Sequence, residues 1–346
     1  MVWLAGLSSF ALYFFYFMAI RDRSNSKLKN NNDTGFGTTT DVGGRFINKD
    51  GTFNMQKVGA PIWDRFSIFH FMLNLPRWKF FATIICFYLT INLAFTIVYV
   101  IIGAEQFTGM IAQTPWQKFK EIYFFSTETF TTVGYGRVNP IGDAANFVAS
   151  IEALSGFLSL AVATGLIYGR FSKPQAFLVF SDLALVGPYQ DKTGLMFRFV
   201  SFKDRHVLTD VDVKVTTGLQ VQENGKAVYK FYSLTLERTH VDSLSMNFTV
   251  VHPIDDASPF QGLSEEDMKT ADVELYVLVR GFDDVYSNVV QQRTSYTYNE
   301  IKFNAKFIPM YKESGDGNTT ILELDKLNQY KEVPVAIAVS ERSAVS

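Results

Sequence analysis

Two apolar runs, from about Trp78 to Ile102 and from about Ala145 to Phe171, bracket the loop Thr131-Thr132-Val133-Gly134-Tyr135-Gly136. This arrangement leaves the chain few possible folds. A bilayer core takes about 20 apolar residues per helix, and each run is long enough. Non-helical backbone at membrane depth is tolerated only where it is buried in protein or lines a cavity. Gly134 and Gly136 permit backbone angles that other residues resist. Successive carbonyls could therefore turn toward one axis and replace the water shell of a small cation. The hydroxyl of Thr132 would add oxygens at the inner mouth. A glycine-rich turn between two core strands is the plainer alternative. It does not explain the helix-like stretch Pro115 to Phe130 that leads into the loop.

Apolar residues concentrate before residue 172 and charges spread through the remainder, so a membrane part precedes a water-soluble part. A net charge of −2 gives no support for a nucleic-acid partner. Cys86 is the single cysteine, so no intrachain disulfide framework exists. Basic residues set the orientation. Arg45, Lys49, Lys57, Arg65, Arg77 and Lys79 lie before or at the start of the first run, and Arg170 and Lys173 at or after the end of the second. Only Lys118, Lys120 and Arg137 lie between. The positive-inside bias puts both ends in the cytoplasm and the loop outside. The Asn-x-Thr triplets at Asn247 and Asn318 would then be silent.

Trp3 to Ile20 is a further apolar run without a basic leader or a cleavage site. It reads as an extra spanning helix, an interfacial anchor, or the product of a start codon assigned too early. Residues 24–44 read as a flexible linker, and Arg45-Phe46-Ile47 as a short strand. Pro61 to Leu75 carries Ile62, Phe66, Phe69 and Leu73 at near-helical spacing, which suits a helix in the membrane surface plane or one packed on a soluble core. The second spanning run is rich in small residues, which let helices approach closely in lipid.

Beyond Ser172-Lys173-Pro174 the pattern changes to short strands. Candidates are Phe177–Val186, Leu195–Val200, Val207–Val221, Val228–Leu236, Met246–Val251, Val273–Val279, Val289–Tyr298 and Phe303–Met310. This spacing predicts an all-β, immunoglobulin-like sandwich. The fold class is thus an α-helical membrane pore domain followed by a cytoplasmic β-sandwich. The boundaries fall at 1–20 for the apolar segment, 21–60 for a cytoplasmic segment, 61–174 for the pore domain and 175–346 for the sandwich.

Potassium channels build their selectivity filter from four copies of a Thr-Val-Gly-Tyr-Gly loop. Further motifs narrow the match. Arg45 to Gly51, Leu75 to Phe81, Thr164 to Pro174, Val251 to Pro259 and Arg293 to Tyr296 together resemble signatures of the inward-rectifier potassium channel family, closest to its prokaryotic branch. The resemblance covers residues from about 44 to 335. It implies a multi-pass homotetramer in the plasma (inner) membrane, with Thr132, Val133, Gly134, Tyr135 and Gly136 binding potassium through backbone carbonyls only. No cofactor is implied beyond the permeant ion. Gating is expected at the inner-helix crossing and at a cytoplasmic loop, Tyr286-Ser287-Asn288-Val289.

Leu160 stands where strongly rectifying relatives carry an acid that attracts polyamines or magnesium, so weak rectification is expected. Leu160, Thr164 and Tyr168 share one helical face, which would line the pore and narrow it at Tyr168. Alternatively, Leu160 is a packing leucine and Tyr168 an interfacial belt residue. Gly156 and Gly165 are the hinge candidates. Glu128, close behind the filter, is expected to pair with Arg137, although animal relatives carry the arginine one residue later and many bacterial relatives have an acid at this position; alternatively, Arg137 is a solvated vestibule charge. Glu152 either hydrogen-bonds near the filter base or faces the cavity. Arg77, Lys79, Arg170 and Lys173 cluster at the cytoplasmic boundary, where they could bind anionic phospholipids or simply anchor the helices. Inhibition by phosphoinositides is the favoured sign, and activation is also compatible. His206 and His252 read as core or surface histidines rather than metal ligands. No nucleophile constellation or phosphate-cradling loop suggests an enzyme. Two rivals remain: a membrane-anchored sandwich that binds a ligand or partner, and a poorly selective cation channel.

Overall fold

The computed structural model describes residues 20–21, 39–40, 45–59, 61, 66–204, 206–223 and 226–334. The expected apolar segment 1–20, save its last residue, most of the linker 24–44, and positions 62–65 lie outside the described residues. The chain divides into two compact units, Lys57–Lys173 and Pro174–Ser346 with residues up to Gln56.

In the first unit, α1 (Ile68–Asn74) begins at Ser67, whose side chain accepts from the amide of His70. Leu75 is extended, as a residue before proline is pushed to be. The second helix, α2 (Arg77–Ile102), starts directly after Pro76. α3 (Pro115–Phe130) opens on a capping box between Thr114 and Gln117 with proline at its first position. α4 (Asp143–Phe171) is unbroken. The bounds of α3 are those expected, and the spanning helices start one or two residues early. The surface helix is shorter than Pro61 to Leu75, because Pro61 is not helical and the first described turn is Ile68.

A buried polar knot joins the three longer helices. Glu152 on α4 has no solvent exposure within the chain. It accepts hydrogen bonds from Tyr99 of α2 at 2.6 Å and Ser126 of α3 at 2.5 Å. Asn92 and Thr96 of α2 are equally buried, and their side chains donate to the carbonyls of Tyr88 and Asn92, both at 2.7 Å. Around the knot, Tyr99, Phe107 and Phe125 meet edge to face with centroids 5.2 to 5.4 Å apart. One turn below Glu152, a Cβ on Gly156 would fall 1.9 Å from the carbonyl oxygen of Phe130, the last residue of α3. Gly156 is therefore first a contact position that lets α4 meet the end of α3. At Gly165 a Cβ would have no neighbour within 4 Å among the described residues of the chain.

The second unit is a two-sheet sandwich. Its strands are β1 (Leu178–Phe180), β2 (Ala184–Tyr189), β3 (Lys192–Ser201), β4 (Leu208–Glu223), β5 (Lys226–Ser233), β6 (His240–Leu244), β7 (Phe248–Ile254), β8 (Glu274–Asp283), β9 (Asn288–Thr297) and β10 (Ile301–Phe303). One sheet runs β9-β8-β4-β5, with β6 also on β4; the other runs β7-β3-β2-β10, with β1 on β3. Inward Val211, Val213 and Val215 of β4 pack with Leu195, Phe197 and Phe199 of β3 in one core. The first expected strand splits in two, and the stretch from Phe303 to Met310 is broken at Asn304, which has φ +55°. The expected strand Arg45-Phe46-Ile47 is only an isolated bridge, Ile47 to Phe53. Side chains dock it instead. Arg45 reaches Ser295 at 3.1 Å and Glu300 at 3.2 Å, and the amide of Phe46 donates to Glu274 at 3.2 Å. Burial lifts the Glu274 carboxyl to about 7. Buried Arg198 donates to the carbonyls of Ile308 and Leu327, both at 2.7 Å, and so fastens the following segment to β3.

Gly156→Ala is expected to lower the thermal stability of the detergent-solubilised protein by about 1–3 kcal/mol, the usual scale of overpacking. Gly165→Ala is expected to leave it unchanged or raise it, since alanine is the better helix former by about 1 kcal/mol. Melting curves of both variants check this, and equal stability of Gly156→Ala and the parent would disprove the close contact.

Candidate conduction site

The loop after α3 hangs from the end of that helix. The amides of Thr131, Thr132 and Val133 donate to the carbonyls of Thr127, Thr129 and Glu128 at 2.9 to 3.1 Å, and Gly134 reaches Glu128 at 3.3 Å. Thr132, Gly134 and Gly136 have φ of +62°, +55° and +80°, while Val133 and Tyr135 between them are not in the positive region. Alternating hand along a chain gathers the amides on one side and leaves the carbonyls to the other. Among the described residues, no atom lies within 4 Å of a Cβ built on Gly134, so its backbone angle, and not crowding within the chain, requires glycine there. Thr132 was expected to contribute a hydroxyl, and its left-handed backbone gave no sequence signal. A β-branched residue there is an outlier, at about 1–2 kcal/mol. The bond from its amide to Thr129 helps hold it.

At the outer end, the Gly136 carbonyl accepts from the side-chain amide of Asn139 at 2.7 Å. The expected pairing of Arg137 with Glu128 is not made within the chain. Arg137 Nη1 lies 3.0 Å from Glu121 Oε1, two turns earlier on α3. Glu128 instead lines the recess beside Thr129, Thr132, Gly134 and Gly136. Sequence reasoning missed Glu121. The available signal was its spacing of seven residues from Glu128, which puts both acids on one helical face.

Leu160, Thr164 and Tyr168 are exposed within the chain, at successive turns of α4. Leu160 lines a cavity with Gly156, Phe157, Thr131 and Thr132, directly under the loop. Glu152 does not line that cavity; it sits in the polar knot. The two hinge candidates differ in the way described above.

The four basic residues at the helix ends are not equivalent. Arg77, Lys79 and Lys173 are exposed. Arg170 donates to the carbonyl of Leu73 at 3.4 Å and lies 4.9 Å from the Phe80 ring, so it also joins α1, α2 and α4.

In the sandwich, Asp284 to Ser287 forms the turn between β8 and β9, with Ser287 at φ +48°. Tyr286 and Ser287 therefore lie in the turn, whereas Asn288 and Val289 already belong to β9. At its foot, buried Asp283 faces His206 at 3.3 Å. His252 is buried between the Thr235 carbonyl and the Ser258 hydroxyl, and burial lowers its pKa.

Comparison with known proteins agrees with both units. The family profile described as ion channel matches residues 83–173, and that of the inward rectifier potassium channel C-terminal domain matches residues 178–345. The inward rectifier potassium channel Kirbac3.1 of Paramagnetospirillum magnetotacticum is 31% identical over 287 residues, covering 82% of this chain and 95% of that protein. Two human proteins, ATP-sensitive inward rectifier potassium channel 12 and inward rectifier potassium channel 18, are each 27% identical over 245 residues, or 66% of this chain. The chain spans only 54% of the length of either. The two spanning helices, mostly unburied within the chain, fit a membrane protein rather than a soluble core. With its pore region and its cytoplasmic β-domain both matched, this chain belongs to the inward rectifier potassium channel family, whose members are ion channels and not enzymes.

Proposed function

We propose that this chain forms a potassium-selective, weakly rectifying channel in the plasma membrane, assembled as a homotetramer. The observation that carries the reading is the alternation of hand through Thr132, Gly134 and Gly136 on a loop hung from α3. That backbone is strained, and a mere membrane anchor has no use for it, which disfavours the rival sandwich-binding reading. One loop offers one carbonyl at each level, too few to replace a hydration shell. Val133 and Tyr135 are exposed within the chain, which supports several copies around one axis. The ion is held by backbone carbonyls, with Thr132 adding its hydroxyl at the inner mouth and no other cofactor. Gating takes place at Tyr168, with a second constriction at the turn around Tyr286 and Ser287.

The test is uptake into liposomes holding the purified protein. Potassium uptake should exceed sodium uptake by about a hundredfold or more, and Gly134→Ala should abolish potassium uptake while leaving the assembly intact. A side chain at φ +55° costs more than the roughly 0.5–1 kcal/mol seen at tolerant glycines. Equal uptake of the two ions by the parent protein would falsify the reading.

Weak rectification rests on Leu160 beneath the loop. Cytoplasmic spermine should block the parent little in symmetrical potassium, and Leu160→Asp should create a steep block. Equally steep block in both would remove Leu160 from the pore wall.

We further propose that an anionic head group bridges Arg77, Lys79 and Lys173 and shifts the balance at Tyr168, with inhibition as its sign. Each basic residue near an anionic surface contributes about 1 kcal/mol. Added phosphoinositide should reduce uptake, and Lys173→Gln should lessen that reduction. Identical lipid response of parent and variant takes Lys173 out of the site, and no response in either ends the idea of lipid control.

A further inference from the structure

Resting on the filter reading above, we infer that Glu121 and Arg137 are a positioning pair that holds the outer half of the filter, with α3 acting as its splint. The inner half is held by backbone hydrogen bonds from Thr131 to Gly134 onto carbonyls at the end of α3. Those bonds stop at Gly134, and beyond it the chain leaves the helix. Two side-chain ties are found at the outer end. Asn139 holds the Gly136 carbonyl at 2.7 Å, which fixes that carbonyl but does not connect it to α3. Arg137 makes the connection, 3.0 Å from Glu121.

The spacing fits this role. Glu121 and Glu128 are two helical turns apart, about 10 Å along the axis. The filter thus leaves α3 at one level and is tied back to the same helix two turns away. A loop fixed at both ends to one rigid element cannot widen at its outer end without breaking a tie.

The carboxylate is itself fixed. Glu121 Oε2 accepts from the amide of Ile111 at 3.2 Å while Oε1 takes the arginine. The side chain of Glu121 is 13% exposed and that of Arg137 52%, so the acid is the sheltered partner. The Arg137 backbone also packs closely against Gly109. A Cβ on Gly109, at φ +81°, would fall 1.7 Å from the Arg137 carbonyl oxygen. The segment containing Gly109 and Ile111 therefore lies against the Arg137 backbone and holds Glu121 through an amide.

Potassium and sodium uptake should be compared in liposomes for the full-length parent, Glu121→Gln, Glu121→Asp, Arg137→Gln and the double variant Glu121→Arg/Arg137→Glu. The readout is the ratio of the two ions, which a loss of folded protein alone does not move. Glu121→Gln and Arg137→Gln should each raise relative sodium uptake roughly three- to tenfold, the scale set by a partly exposed ion pair. Glu121→Asp should fall between them and the parent, and the double variant should return toward the parent ratio. Arg137 is the more exposed partner, so Arg137→Gln keeps the test decisive if Glu121→Gln does not assemble. A selective parent with unchanged ratios in both single Gln variants overturns the pair and leaves the proposed function standing. A parent that does not distinguish the ions overturns both.

Discussion

A carboxyl group with no solvent exposure at membrane depth must be satisfied by its neighbours, and Glu152 sets the geometry of the pore unit for that reason. Its oxygens are reached by α2 through Tyr99 and by α3 through Ser126. A hydrogen bond has a direction and a length, whereas apolar contact in lipid has neither and gains little from the surrounding hydrocarbon. The knot therefore does what lipid cannot, which is to choose one arrangement of three helices. Once Ser126 is placed, Phe130 and the start of the filter follow one turn later.

The filter is the costliest backbone in the unit and the least supported by its own sequence. Three of its residues sit in the left-handed region, and only two are glycines. Strain of this kind persists only where surroundings over-determine it. Here the surroundings are the carbonyls at the end of α3, which take four successive amides, and the side chain of Asn139. The filter's shape is thus stored largely in the helix before it and in Asn139 after it. Under the proposed function, substitutions at Glu121 or Asn139 would then alter the loop without touching the ion.

Much of this was legible in the sequence, for identifiable reasons. Pro115 after Thr114, with Gln117 two residues on, fixed the start of α3, because a capping box and an N-terminal proline are local signals. The spanning helices were legible from length and apolarity alone. The partner of Arg137 was not, since nearness to the filter favoured Glu128 while the fold delivered Glu121. The left-handed Thr132 was not, because its conformation is imposed by hydrogen bonds and contradicts its side chain. In the sandwich, β6 was missed because His240, Asp242 and Ser243 hide its alternation. The strap at Arg45 to Ile47 was read as a strand, yet Glu274, Ser295 and Glu300 hold it through side chains.

The same contacts constrain how a gate at Tyr168 could move. Glu152 is tied to α2 and α3, and Gly156 lies against the carbonyl of Phe130 with no room for a methyl group. The stretch of α4 from Glu152 to Gly156 is therefore part of the body that holds the filter. Bending at Gly156 would have to lift α4 off α3 and disturb the bonds that begin at Thr131. Gly165 has open space and lies between that fixed stretch and Tyr168. A bend there could displace Tyr168 and Arg170 while the helix above stays seated. Under the proposed gating, glycine at 156 serves the filter and glycine at 165 serves the gate. Opening and ion selection then become separable properties of one continuous helix.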